Sequence, residues 1–190
     1  MGDPGIRGYN RDIGVPAAPC PDRLMTGDKT IQSQFEVSID KLNALGVIDP
    51  YSDASLAIYA SGKLSSDERL YFALWGCQHL SAANFNARQV VAQQGAEVTS
   101  GIFIVRGRLL GINADMIYRL GPGSVIGLAE GLAGQPYSMR VVCVTDVEAR
   151  LIPLQQVKRQ IPRMPAGLRG IMRSAVMRTL SLDHPPESLE

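Results

Sequence analysis

Hydrophobic positions change period along the chain, and the change divides it. Ile31, Phe35, Ile39, Leu42 and Leu45 recur at spacings of three and four, which predicts a helix over Asp28 to Leu45 closed by Gly46 and Pro50. A second helix is predicted from Ser52 or Asp53 through Leu56, Ile58 and Tyr59 to Gly62. Ser65 and Glu68 form a capping-box pattern that opens a third, running through Leu70, Tyr71, Leu74 and Trp75 towards Leu80. From Arg88 to Ile152 the pattern is different. Short β-branched runs such as Ile102-Phe103-Ile104-Val105 are broken by glycines, as in a series of short antiparallel strands. Helical spacing then returns over Leu154 to Gln160, and over Ala166 to Leu180, where Leu168, Ile171, Met172, Ala175, Val176 and Leu180 make a stripe. The fold class is therefore α+β, an antiparallel β-roll or jelly roll flanked by N-terminal helices and a C-terminal helix. Five parts are expected: an extended arm over 1–27, a helical lead-in over 28–80, the roll over 81–153, C-terminal helices over 154–182 and a loose tail over 183–190.

Composition narrows the classes. The 190 residues are 45% hydrophobic with a formal charge of +1, which suits a globular protein with a sizeable core and no strong general attraction to nucleic acid or membrane. No apolar run approaches the roughly 20 residues of a membrane span. Cys20, Cys77 and Cys143 are odd in number and far apart, and with His79 and His184 they complete no metal set. No metal or cofactor is expected, the cysteines read as thiols in a reducing compartment, and the expected location is the cytoplasm. The arm is rich in proline and glycine: a disordered tail is the first reading, and an arm ordered along a protein partner through Tyr9, Ile13, Val15, Leu24 and Met25 is the second. The stripe of Ile31, Phe35, Ile39 and Leu42 needs a surface too: the roll, a twin subunit or another protein. Between Arg150 and Leu182 there is no acidic residue, while Lys158, Arg159, Arg163, Arg169, Arg173 and Arg178 are basic. A solvated helix face is the first reading, an acidic partner protein the second, and DNA the last, because no recognition helix accompanies these cations.

The glycine frame resembles the cyclic nucleotide-binding domain. Gly95, Glu97, Ile102 to Val105 and Gly107 follow the first half of that family's pattern, with the two glycines twelve positions apart. Gly123, Ser124, Val125, Ile126 and Gly127 resemble the opening of its phosphate-binding cassette, and Pro136, Tyr137, Ser138 and the strand Met139 to Val144 resemble its close. The resemblance implies a ligand site at Gly127, Leu128, Ala129, Tyr137 and Ser138. Two positions depart from it. Leu128 stands where the family acid accepts from the ribose hydroxyl, and Tyr137 where its arginine pairs with the phosphate. Glu130 is expected to face elsewhere from its helix, and Arg140 to lie on the opposite strand face from Tyr137. A cyclic nucleotide is accordingly not expected as ligand. The chain also stops soon after its last helix, where catabolite-activator-type regulators continue into a helix-turn-helix, so it is not expected to be a complete regulator of that kind.

No enzyme is expected. GLAEGLAG has no serine for a nucleophile elbow and lacks the closing Gly-Lys-Ser/Thr of a phosphate loop. The function these residues imply is a non-catalytic accessory or regulatory subunit that docks the roll onto a larger assembly. A small-molecule sensor signalling through its C-terminal helix is the alternative. A homodimer is compatible with both.

Overall fold

In the computed structural model the structure describes residues 37–114 and 116–190 and the backbone of Thr30–Gln32. Two sheets form the roll. The first has the order β1 (Thr30–Gln32), β6 (Met116–Leu120), β5 (Leu109–Asn113), β8 (Arg140–Cys143) and β3 (Val90–Ala92). The second has the order β2 (Ser81–Phe85), β9 (Val147–Pro153), β4 (Ser100–Arg106) and β7 (Val125–Ile126). Pairing is antiparallel except that β1 runs parallel to β6, with Ile31 opposite Tyr118.

Strand β4 lies at the centre because it is apolar on both faces. Ile102 and Ile104 turn into the roll with Ala92, Leu109, Ile126, Val141, Val147 and Ala149. Phe103 and Val105 turn outwards, under the helical lead-in. A continuous apolar run is what a strand covered on both sides requires. The cover consists of α1 (Ile39–Ala44), α2 (Asp53–Ala60) and α3 (Ser66–Trp75). Tyr71 of α3 packs on Phe103 and on Trp75, and the Tyr71 hydroxyl donates to the Val105 carbonyl oxygen at 2.8 Å. Trp75 is thus part of the core under the roll. The Ser65–Glu68 capping box is present, and Lys41 reaches Glu68 at 2.6 Å, joining α1 to α3.

The helix expected over Asp28 to Leu45 is cut short. Ser38 caps α1 at its N-terminus, and the described backbone upstream is the strand β1, paired to β6. A free sheet edge can recruit a segment whose local spacing is helical, because strand pairing satisfies its backbone groups equally well. Leu42, offered to a partner on sequence grounds, fills the chain's own core with Val37 and Val47, and Ile39 packs beside it. Of the other proposed partner contacts, Tyr9, Ile13, Val15 and Phe35 lie outside the described residues, and Ile31 is described in its backbone alone.

After β9 come α5 (Leu154–Gln160), a 3-10 turn over Ile161–Arg163, and α6 (Ala166–Leu180). Both helices match their expected spans. The tail does not behave as its polarity suggests. A 3-10 turn, Glu187–Leu189, seats Leu189 at 1% exposure among Leu132, Leu154, Ile161 and Val176, and the Ser188 hydroxyl donates to the Leu132 carbonyl oxygen. No described helix is long and apolar enough to cross a membrane.

Candidate functional site

The cassette is a five-residue helix, α4 (Leu128–Leu132), hung between β7 and the loop to β8. Its start is set by Gly127, whose φ of +78° is left-handed, and the Gly127 carbonyl oxygen accepts from the Gly131 amide at 2.9 Å. Glycine enters that region without the clash a side chain brings. Tyr137 lies against it closely: a Cβ at position 127 would stand 2.5 Å from Cε1 of the tyrosine ring. The residue is held at three points, one on its side chain and two on its backbone. Its hydroxyl donates to the Ser100 carbonyl oxygen at 3.3 Å, its amide to the Ala96 oxygen at 2.9 Å, and its own carbonyl oxygen accepts from the Gly95 amide at 2.9 Å. Burial, and after it the Glu130 carboxylate, push the Tyr137 phenol above its ordinary pKa.

Glu130 faces away from Leu128, as a two-residue offset on a helix requires, but it is buried, and its Oε1 accepts from the Ser138 hydroxyl at 2.7 Å. The turn after α4 returns the chain so that residue 138 lies beside residue 130. Nothing in the spacing of the two announces this, because the return depends on the loop geometry of Gly134 to Pro136 rather than on a periodic element.

The five residues proposed for ligand contact therefore divide. Gly127, Tyr137 and Ser138 come together, with Glu130 as an unforeseen fourth member. Leu128 and Ala129 turn the other way. Leu128 packs on Gly101 of β4, and both residues join α5 and α6 through Val157 and Met172. They line an apolar groove of about 330 Å³ with Val125, Leu132 and Val176. Leu128 at the family acid position thus leans on the C-terminal helices. Arg140 is exposed at the start of β8 while Tyr137 is half-buried. The inner side of the cassette offers a carboxylate, a hydroxyl, a phenol and backbone amides, a set that hydrogen-bonds hydroxyl-bearing and amide-bearing groups. No cluster of three His, Cys, Asp or Glu able to hold a metal occurs among the described residues.

Residues 82–163 match the family model for the cyclic nucleotide-binding domain. A search of curated proteins finds no significant match. Among solved structures, the cAMP-bound form of the EAL enzyme Bd1971 is similar at 22% identity and a TM-score of 0.48, over 53% of this chain and 29% of that one. In its halfsite-occupied form, 54% of this chain matches 96% of that chain at 20% identity and a TM-score of 0.45. A chain from work on a cyclic-GMP-dependent signalling pathway that regulates bacterial phytopathogenesis is 19% identical over 64% of this chain and 98% of that one, with a TM-score of 0.49. The expectation that a cyclic nucleotide is not a ligand is overturned by the family match. That expectation weighed two side chains, Leu128 and Tyr137, whereas the family is recognised across the whole roll and cassette. The roll and its cassette, residues 82–163, are a cyclic nucleotide-binding domain.

Proposed function

We propose that this chain is a non-catalytic regulatory subunit whose cassette receives a cyclic nucleotide and whose C-terminal helices carry the response to a larger protein. The observation that carries this reading is the position of α4. It has the Gly127–Tyr137–Ser138–Glu130 cluster on one side, while Leu128, Ala129 and Leu132 pack on Val157, Met172 and Val176 of α5 and α6 on the other. A ligand that shifts α4 must repack α6, since close-packed interiors transmit displacement. Docking is supported by α6 itself, which leaves Leu168 and Ile171 exposed at 49% and 69%. Glu130 and Ser138 are the groups placed to accept from and donate to ligand hydroxyls. The arm over 1–27 is assigned to the docking side, and the cytoplasm is the compartment where such a subunit meets its ligand.

The test is calorimetric titration with cyclic AMP and cyclic GMP, paired with melting curves and amide hydrogen exchange. A ligand at a hundred times its dissociation constant adds about 2.7 kcal/mol of stability. Protection should rise in α4 and change in α6. No heat and no shift in melting temperature at millimolar nucleotide would refute the ligand assignment. Binding that leaves α6 exchange untouched would refute the route of response.

A further inference from the structure

A second cavity, of about 550 Å³, lies on the far side of α5 from the cassette, between that helix, the end of β9 and the linker into β2. Its floor is apolar: Leu80, Ile152, Pro153 and Val157. Its rim is not. Gln156, Arg159, Gln160 and Arg163 border it at spacings of three, one and three, so one stripe of the helix and the following 3-10 turn supplies two guanidinium groups and two amides. Neither arginine is in an ion pair among the described residues. The Nε of Arg159 donates to the Gln155 carbonyl oxygen at 3.3 Å, which steadies the side chain. No carboxylate competes from this part of the chain, since residues 151–182 contain no Asp or Glu.

We propose that this cavity is a binding site for a small amphipathic anion, one with an aryl or alkyl body and a single carboxylate, phosphate or sulfonate group. The volume falls in the range of small-molecule sites. The apolar floor removes the body of the ligand from water, and two guanidinium forks meet its charged end with strong, directional hydrogen bonds. A neutral hydrophobe would leave the rim cations unmet, and a purely inorganic anion would leave the floor wet. The site is offset from the cassette: Leu154 and Ile161 turn towards Leu132, and Val157 alone of its lining also borders the groove beside α4.

The probe is 8-anilinonaphthalene-1-sulfonate, with N-phenyl-1-naphthylamine as its neutral counterpart. The full chain should bind the sulfonate saturably, with fluorescence enhancement, and should bind the amine at least about tenfold more weakly, a factor equivalent to roughly 1.4 kcal/mol. R159Q/R163Q should weaken the sulfonate by about tenfold or more and leave cyclic nucleotide titrations unchanged. Q156E/Q160E, which places carboxylates on the same rim, should do the same, and melting curves identify any variant that fails to fold. Amide chemical shifts on titration should concentrate at Leu80, Ile152 and residues 156–163. Equal affinity for the two probes, sulfonate binding by R159Q/R163Q at the original strength, shifts scattered over the surface, or no saturable binding below about 1 mM would overturn the assignment.

Discussion

Replacing Gly127 with alanine tests the cassette most directly, because two separate costs meet at one atom. The backbone there has φ of +78°, and an L-residue in the left-handed region costs roughly 1–2 kcal/mol. The new methyl would stand 2.5 Å from Cε1 of Tyr137 and 3.2 Å from a methyl of Val98. Forcing such a group into packed space costs about 1–3 kcal/mol. Gly127→Ala should therefore destabilise by about 2–5 kcal/mol, a large part of the roughly 5–15 kcal/mol that holds a domain together. Urea denaturation followed by circular dichroism reads this as a lower midpoint at unchanged slope. The two costs separate in a double-mutant cycle. With Tyr137→Ala the ring is gone, so Gly127→Ala should then cost only the backbone part, leaving a coupling of about 1–3 kcal/mol. A cost under about 0.5 kcal/mol, or the same cost with and without the ring, would refute the close approach of Tyr137 to the cassette turn.

Leu189→Ala removes a side chain that is 1% exposed and should cost about 2–4 kcal/mol by chemical denaturation, with faster exchange of the α4 amides; a loss near zero would mean the tail is not seated on α4. Glu68 is pulled two ways. Burial works to raise its pKa, while hydrogen bonds from Lys41 and from the Ser65 amide and hydroxyl outweigh it and hold the carboxyl below its ordinary value. Its contribution is then present above the unfolded-state pKa and is lost as pH falls through the folded one, so wild type and Glu68→Gln should converge in stability under acid and differ at neutral pH; a constant difference would refute this. Burial, and then Asp146, raise the Cys143 thiol, whereas Cys77 is half-exposed. In a Cys20→Ser background, a disulfide reagent should therefore modify Cys77 well before Cys143, as read by peptide mass.

Much of the architecture follows from local signals. The run Ile102 to Val105 marks the strand covered on both sides, the Ser65–Glu68 pair opens α3, and the spacing over residues 154–180 marks α5 and α6 at their observed ends. These succeed because the forces involved act within a few residues: capping, helical periodicity, and alternation on a strand. The glycine frame placed the cassette as well, since a left-handed turn at Gly127 needs a residue without Cβ.

Other features arise from segments distant in sequence. Whether residues 30–32 form helix or strand was settled by the free edge of β6, which lies more than eighty positions away. Of the two leucines in the tail SLDHPPESLE, Leu189 fills a hollow between α4, α5 and α6 and Leu182 packs beside it, and no periodicity records that hollow. Glu130 is the clearest case. On helix geometry alone it points away from Leu128, and the loop after α4 carries Ser138 back to meet it, so its carboxylate is buried against a hydroxyl eight positions along the chain. Side-chain direction on one element is a local property, whereas the neighbour it meets is set by the path of the chain, and here that path pairs Glu130 with Ser138.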